Sequence, residues 1–69
     1  MLEYRVIKRH VLTEGRRVTL YGIEAVRRIT AIPNISADRR RVYRLVRRCN
    51  EGQLATVHLK DVIEDEFYY

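Results

Sequence analysis

One cysteine, one proline and no tryptophan in 69 residues close off several routes to stability and chemistry. Cys49 has no second cysteine to join, which excludes an internal disulfide and makes a reduced cytoplasmic setting the expectation. A membrane-spanning helix needs about 18 consecutive apolar residues; the sequence has no such run, and no membrane partner is expected. The first ten residues, M-L-E-Y-R-V-I-K-R-H, alternate apolar and charged side chains, unlike a signal peptide. Three glycines form no phosphate-cradling loop. Neither C-x-x-C nor H-x-x-x-H spacing occurs, so His10, His58 and Cys49 do not read as a metal site, and no cofactor is expected. A chain this short makes one domain, residues 1–69, and buries only about 60% of its extended-chain surface. That leaves little stability to spend on strained catalytic geometry.

Negative charge is scarce and unevenly placed. Residues 1–48 carry twelve arginines and one lysine against Glu3, Glu14, Glu24 and Asp38, a net charge of +9. Residues 49–69 carry Lys60 against Glu51, Asp61, Glu64, Asp65 and Glu66, a net charge of −4. A basic body with an acidic end suits nucleic acid, or else the two regions neutralise each other within the fold. Arginine outnumbers lysine twelve to two, which codon bias in a GC-rich genome also produces.

The stretch Ser36–Asn50, S-A-D-R-R-R-V-Y-R-L-V-R-R-C-N, organises the remainder. At about 100° per residue Val42, Leu45, Val46 and Cys49 share one arc, and Arg40, Arg41, Arg44, Arg47 and Arg48 share the opposite one. Ser36 serves as N-cap, with Asp38 in the first turn. The helix spans about residues 37–49, and Asn50-Glu51-Gly52 stops it through the left-handed conformation Asn and Gly tolerate. A second helix spans about 57–67, with Thr56 as its cap and Leu59, Val62, Ile63 and Phe67 as its stripe.

Ahead of the helices the sequence reads as strands, about 2–12, 17–26 and 29–35. Leu2, Tyr4 and Val6 share one parity and Ile7 and Val11 the other, which suggests a bulge near Lys8. Gly15 supplies the positive φ of a hairpin turn over Thr13–Arg16. Val18 and Leu20 face one way, Tyr21 and Ile23 the other, and Gly22 suggests a bulge or a close approach. Arg27-Arg28 forms a second connection into Ile29–Ile32 of the third strand, which is ended by Pro33, a residue that cannot donate a ladder hydrogen bond and so belongs at an edge. The expected fold is α+β: a three-stranded antiparallel β-meander followed by two antiparallel helices packed on one face. Arg39–Arg41 oppose the dipole of the first helix and Glu64–Glu66 that of the second. Antiparallel packing would set those misplaced charges side by side.

Arg44, Arg47 and Arg48, joined by Tyr43 and by Arg16 and Arg17, are the candidate binding surface. Guanidinium forks suit phosphate, and a tyrosine stacks on a base. The ordinary alternative is a solvated helix face. Cys49, His58 and Asp61 are the residue types of a nucleophile, a base and an orienting group, but Cys49 sits on the apolar arc, where thiols are usually inert. His58 is expected to make a structural hydrogen bond, and Phe67 to seal the core, with Tyr68 and Tyr69 left open.

Y-G-I-E at Tyr21–Glu24, L-V-R-R-C-N at Leu45–Asn50 and V-H-L-K-D-V-I-E-D at Val57–Asp65 resemble a small family from Firmicutes known only as a domain of unknown function. That pattern often has Ser-Pro before the Val-His-Leu segment; this chain has Ala55-Thr56 there, which puts the second cap in question. The resemblance implies a free-standing bacterial protein and brings no catalytic residue. The functional expectation is a non-enzymatic protein-binding or regulatory module, with a homodimer through a sheet edge or the aromatic terminus as one form. Nucleic-acid binding through the basic helix face is the alternative.

Overall fold

The computed structural model describes residues 2–27 and 30–67. It contains the strands β1 (Tyr4–Thr13), β2 (Arg16–Ala25) and β3 (Thr30–Ser36). The helix α1 (Arg39–Glu51), a 3₁₀ turn at Thr56–His58 and the helix α2 (Leu59–Phe67) follow. The strands form an antiparallel meander in the order β1-β2-β3, so the α+β expectation holds. Tyr68, Tyr69, Arg28 and Ile29, on which parts of the sequence reading fell, lie outside the described residues.

Glu14 (φ 51°) and Gly15 (φ 75°) are both left-handed, the signature of a two-residue type I′ hairpin turn closed by the Thr13–Arg16 pair. From that pair to Tyr4–Ala25 the register runs unbroken, so the bulge expected near Lys8 does not exist. The two apolar parities of β1 are instead its two faces. Leu2, Tyr4 and Val6 join Tyr21, Ile23 and Ala25 in the core. Ile7 and Val11 lie opposite Gly22 and Val18 on the other side, with Leu20 beside them.

The bulge lies between β2 and β3. Tyr21 pairs with Ser36 and Ile23 with Ile32, so three residues, Pro33–Ile35, stand opposite Gly22 alone. Asn34 turns there at φ 59°. Proline therefore does not end the strand, which continues to Ser36; it sits in the bulge of an edge strand, where its missing N–H costs nothing.

Both helix caps of the sequence reading are corrected. Asp38, not Ser36, is the N-cap of α1: its carboxylate accepts from the Arg41 N–H (3.3 Å), while Ser36 Oγ accepts from the Asp38 N–H (3.0 Å). The helix runs two residues further than expected, to Glu51, and the left-handed residue at its end is Gln53 (φ 48°) rather than Asn50 or Gly52. Leu54 N–H donates to Cys49 O (3.0 Å) and Gln53 N–H to Asn50 O (3.2 Å), the paired bonds of a Schellman ending. Thr56 caps nothing by its side chain. It opens the 3₁₀ turn behind Ala55, and α2 starts only at Leu59.

Val42, Leu45, Val46 and Cys49 of α1 and Leu59 and Ile63 of α2 close over Tyr4, Ile23 and Ala25, with Phe67 packed against the cluster as expected. Val62 lies near Arg48 and Cys49, and Phe67 lies under Arg41, so the helices run in opposite senses. Among the described residues the core takes nothing from residues 8–20, so the far half of the β1–β2 hairpin stands clear of the helices. No described helix is long and apolar enough to cross a membrane.

Candidate functional site

The end of α1 does more than terminate a helix. Asn50 and Gln53 turn their carboxamides onto the outer edge of β1. Tyr4 N–H donates to Asn50 Oδ1 (2.6 Å) and Asn50 Nδ2 donates back to Tyr4 O (3.0 Å). Leu2 N–H donates to Gln53 Oε1 (3.0 Å) and Gln53 Nε2 donates to Leu2 O (3.0 Å) and to Asn50 O (2.9 Å). Each amide thus imitates one rung of a neighbouring strand. The Tyr4 hydroxyl, buried beneath, donates to Leu54 O.

This clamp fixes which backbone groups of β1 point outward. Glu3 O faces inward, accepting from Val26 N–H (2.8 Å), whereas Leu2 and Tyr4 face the carboxamides. With an unbroken register, the same alternation carries the N–H and C=O of Val6, Lys8, His10 and Leu12 to the open side of an edge strand.

Beside that edge lies one flank of α1. Tyr43 and Asn50, seven residues apart, project in nearly the same direction, and Asn50 already touches β1. Tyr43 is 54% exposed, with the Arg39 guanidinium 5.6 Å from its ring centroid. Val6, Lys8, Tyr21, Arg39 and Tyr43 line a hollow of about 190 Å³, and Arg39, Arg40, Tyr43 and Arg44 line an adjoining one of about 330 Å³.

The sequence-expected surface of Tyr43, Arg44, Arg47 and Arg48 is divided. Arg48 Nη1 bridges to Glu66 Oε2 (3.4 Å) and Arg47 Nε to Glu51 Oε1 (2.9 Å). Arg44 is exposed and makes no ion pair among the described residues. Arg41 leaves the basic face altogether. It is half-buried, donates to the Glu66 carbonyl at the end of α2 and stacks over Phe67 at 4.5 Å. The misplaced charges therefore meet only in part: Glu66 is held by Arg41 and Arg48, while Arg39, Arg40, Glu64 and Asp65 are exposed and make no ion pair among the described residues. Arg16 and Arg17 stand at the hairpin tip, apart from Arg44.

Cys49 is 3% exposed, whereas His58 and Asp61 are exposed, and the His58 ring makes no hydrogen bond among the described residues. Burial pushes the thiol above its ordinary value of 9.0, partly offset by the Arg48 guanidinium. Below that value the thiol is neutral in both states. Above it the unfolded chain ionises first, so stability is lost as pH rises past about 9. Urea unfolding at about pH 8 and pH 10 is expected to show a larger loss for the wild type than for Cys49→Ala; equal losses would reject this. Among the described residues no group of three His, Cys, Asp or Glu side chains could hold a metal ion.

Sequence reasoning missed the carboxamide clamp, and it named a sheet edge as an interaction surface without saying which edge. The available signal was an Asn and a Gln three residues apart at a helix end, 46 and 51 positions from the residues they bond, and it gives no direction by itself.

No curated protein and no solved structure matches the chain. A family model does match, over residues 1–67, nearly the whole sequence, which agrees with the resemblance carried by Tyr21–Glu24, Leu45–Asn50 and Val57–Asp65. The chain belongs to the Family of unknown function (DUF6514).

Proposed function

We propose that this protein is a non-enzymatic binding module that acts through protein contacts made by the β1–β2 hairpin. One observation carries the reading: the helices cover a single face of the sheet, and the hairpin extends beyond them with apolar side chains on show. Ile7, Val11, Val18 and Leu20 are only half-buried on the uncovered face, and Leu12 is 78% exposed. Half-exposed aliphatic side chains grouped on one sheet face favour burial against another chain. Cys49, buried on the core side of α1, is packed as an apolar side chain rather than presented as a nucleophile.

Nucleic-acid binding through α1 is the weaker reading, because Arg47 and Arg48 already answer to Glu51 and Glu66. Photo-crosslinking residues placed at Leu20, Lys8 and Arg44 in the native cell separate the two. Expected are nuclease-resistant adducts with polypeptide at Leu20 or Lys8. Adducts confined to Arg44 and destroyed by nuclease, or none at all, would overturn the proposal.

A further inference from the structure

We infer that the outer edge of β1 from Val6 to Leu12 receives an extended acidic segment of another polypeptide, which adds to the sheet as a fourth strand. The inference rests on the protein-binding reading above and names the surface and the partner chemistry.

Three features of the edge converge. First, β1 is an edge strand whose outward N–H and C=O groups are met by Asn50 at Tyr4, just after Gln53 meets those of Leu2, and by nothing among the described residues beyond Tyr4. Four outward residues, Val6, Lys8, His10 and Leu12, follow over about 20 Å at ~3.3 Å per residue. The carboxamides mark where an added strand would begin, since they occupy the positions its next residues would take. Second, the start of the edge, at Val6 and Lys8, lies in a groove beside α1, while His10 and Leu12 continue it beyond the helices. Tyr43 and Arg39 rise beside Val6 and Lys8, so side chains of an added strand on the helical side would rest against Tyr43. A strand edge beside a helix flank is the arrangement in which main-chain bonds supply affinity and side-chain hollows supply selection.

Third, the walls are cationic. Lys8, Arg39, Arg40 and Arg44 lie on or beside the helical side of the groove. Arg5 and Arg9 lie on the other side of the strand, and among the described residues Arg5 alone of these makes an ion pair, to Glu24. Such an edge disfavours the two-fold pairings of its own copy that would be centred on its cations. Two-fold pairing of β1 with β1 centred on Lys8 or on Arg9 sets like charges directly opposite. Aspartate or glutamate side chains alternating with apolar ones answer both needs, meeting the cations while covering Val6 and Tyr43.

The probe is a capped peptide of about eight residues, alternating glutamate and valine, added to the full ¹⁵N-labelled chain. Hydrogen exchange is expected to slow about tenfold or more at the Val6, Lys8, His10 and Leu12 amides. A lysine–valine peptide should give no protection. Lys8→Pro removes one outward donor without touching the β1–β2 ladder, and is expected to abolish the protection while the far-ultraviolet spectrum stays native. Arg39→Glu should weaken binding about tenfold at low salt and less at high salt. No protection at millimolar peptide would overturn the inference, as would equal protection by the lysine peptide or shifts confined to Ile7, Val18 and Leu20. Protection that rises with protein concentration and needs no peptide would instead assign the edge to a second copy. Crosslinks from Leu20 in the cell with no edge protection would leave the binding-module reading standing and remove this one.

Discussion

Gly22→Ala is expected to lower the thermal midpoint by more than about 12 °C, the equivalent of ~3 kcal/mol or more in a domain of this size. A β-carbon built at Gly22 falls 2.3 Å from the Ile32 carbonyl oxygen and 2.6 Å from Pro33 Cα. Both are backbone atoms, so neither can swing aside as a side chain would. Relief would require moving β3 off β2 at the bulge, where Ile32 still pairs with Ile23, a residue with no exposed surface. Overpacking usually costs about 1–3 kcal/mol when side chains can adjust; here the obstruction is main chain, and the cost should lie at or above the upper figure. Gly52→Ala is the control. Its added β-carbon meets only Arg48 O at 3.4 Å, and its φ of −87° suits any residue. Losing glycine's freedom in the unfolded chain should make that variant neutral or stabilised by about 0.4–1 kcal/mol. Calorimetric scans of the two variants within a few degrees of each other would refute the account of the bulge.

Gly22 also shows what kind of information the residue string carries. A glycine between aliphatic and aromatic residues of strand type has few ordinary explanations, and a bulge with a close approach is what it marks. The buried arc Val42, Leu45, Val46 and Cys49 was equally legible, because helical periodicity translates directly into a face. The parity Leu2, Tyr4, Val6 was legible for the same reason in strand form, but not that this is the face the helices cover, since Ile7 and Val11 offer a second apolar face. Errors arose where two elements decide together. Ile7 and Val11 imitate a bulge only if one face of the sheet is assumed polar, and here both faces carry aliphatic residues. Ser36 and Asp38 are both good caps two residues apart, and only the backbone path out of β3 selects the second. Arg41 belongs to the basic face by angle, yet its long side chain folds back over Phe67 to reach a carbonyl at the end of α2. For the candidate site, the exposed ring of Tyr43 was legible and its neighbour was not. Asn50 read as a helix-stop residue and Gln53 carried no reading, whereas their amides act on chain more than forty positions earlier. A contact over that distance leaves no local periodicity to detect.

Asn50→Asp should destabilise the fold by about 2–3 kcal/mol at neutral pH and recover much of that loss in mild acid. The substitution preserves shape. One carboxylate oxygen still accepts from the Tyr4 N–H, but the other replaces a donor 3.0 Å from the Tyr4 carbonyl and sets two acceptors against each other. The site is partly buried and lies in the last turn of α1, where the dipole also disfavours negative charge. Both effects raise the aspartate pKa in the folded state above its unfolded value of about 3.9. The protonated side chain can donate to Tyr4 O as the amide does. Stability is therefore fully present below the unfolded value and lost as pH rises through the folded one. Asn50→Ala lacks the titrating group and loses both bonds, so it should be destabilised at every pH by about 1–3 kcal/mol beyond any packing loss. Urea unfolding at about pH 4 and pH 7 distinguishes the variants, with the wild-type pH response subtracted. If the aspartate variant then keeps the same deficit at both, the carboxamide does not hold the end of β1. The edge that begins beyond Tyr4 would in that case lack the fixed frame an added strand needs.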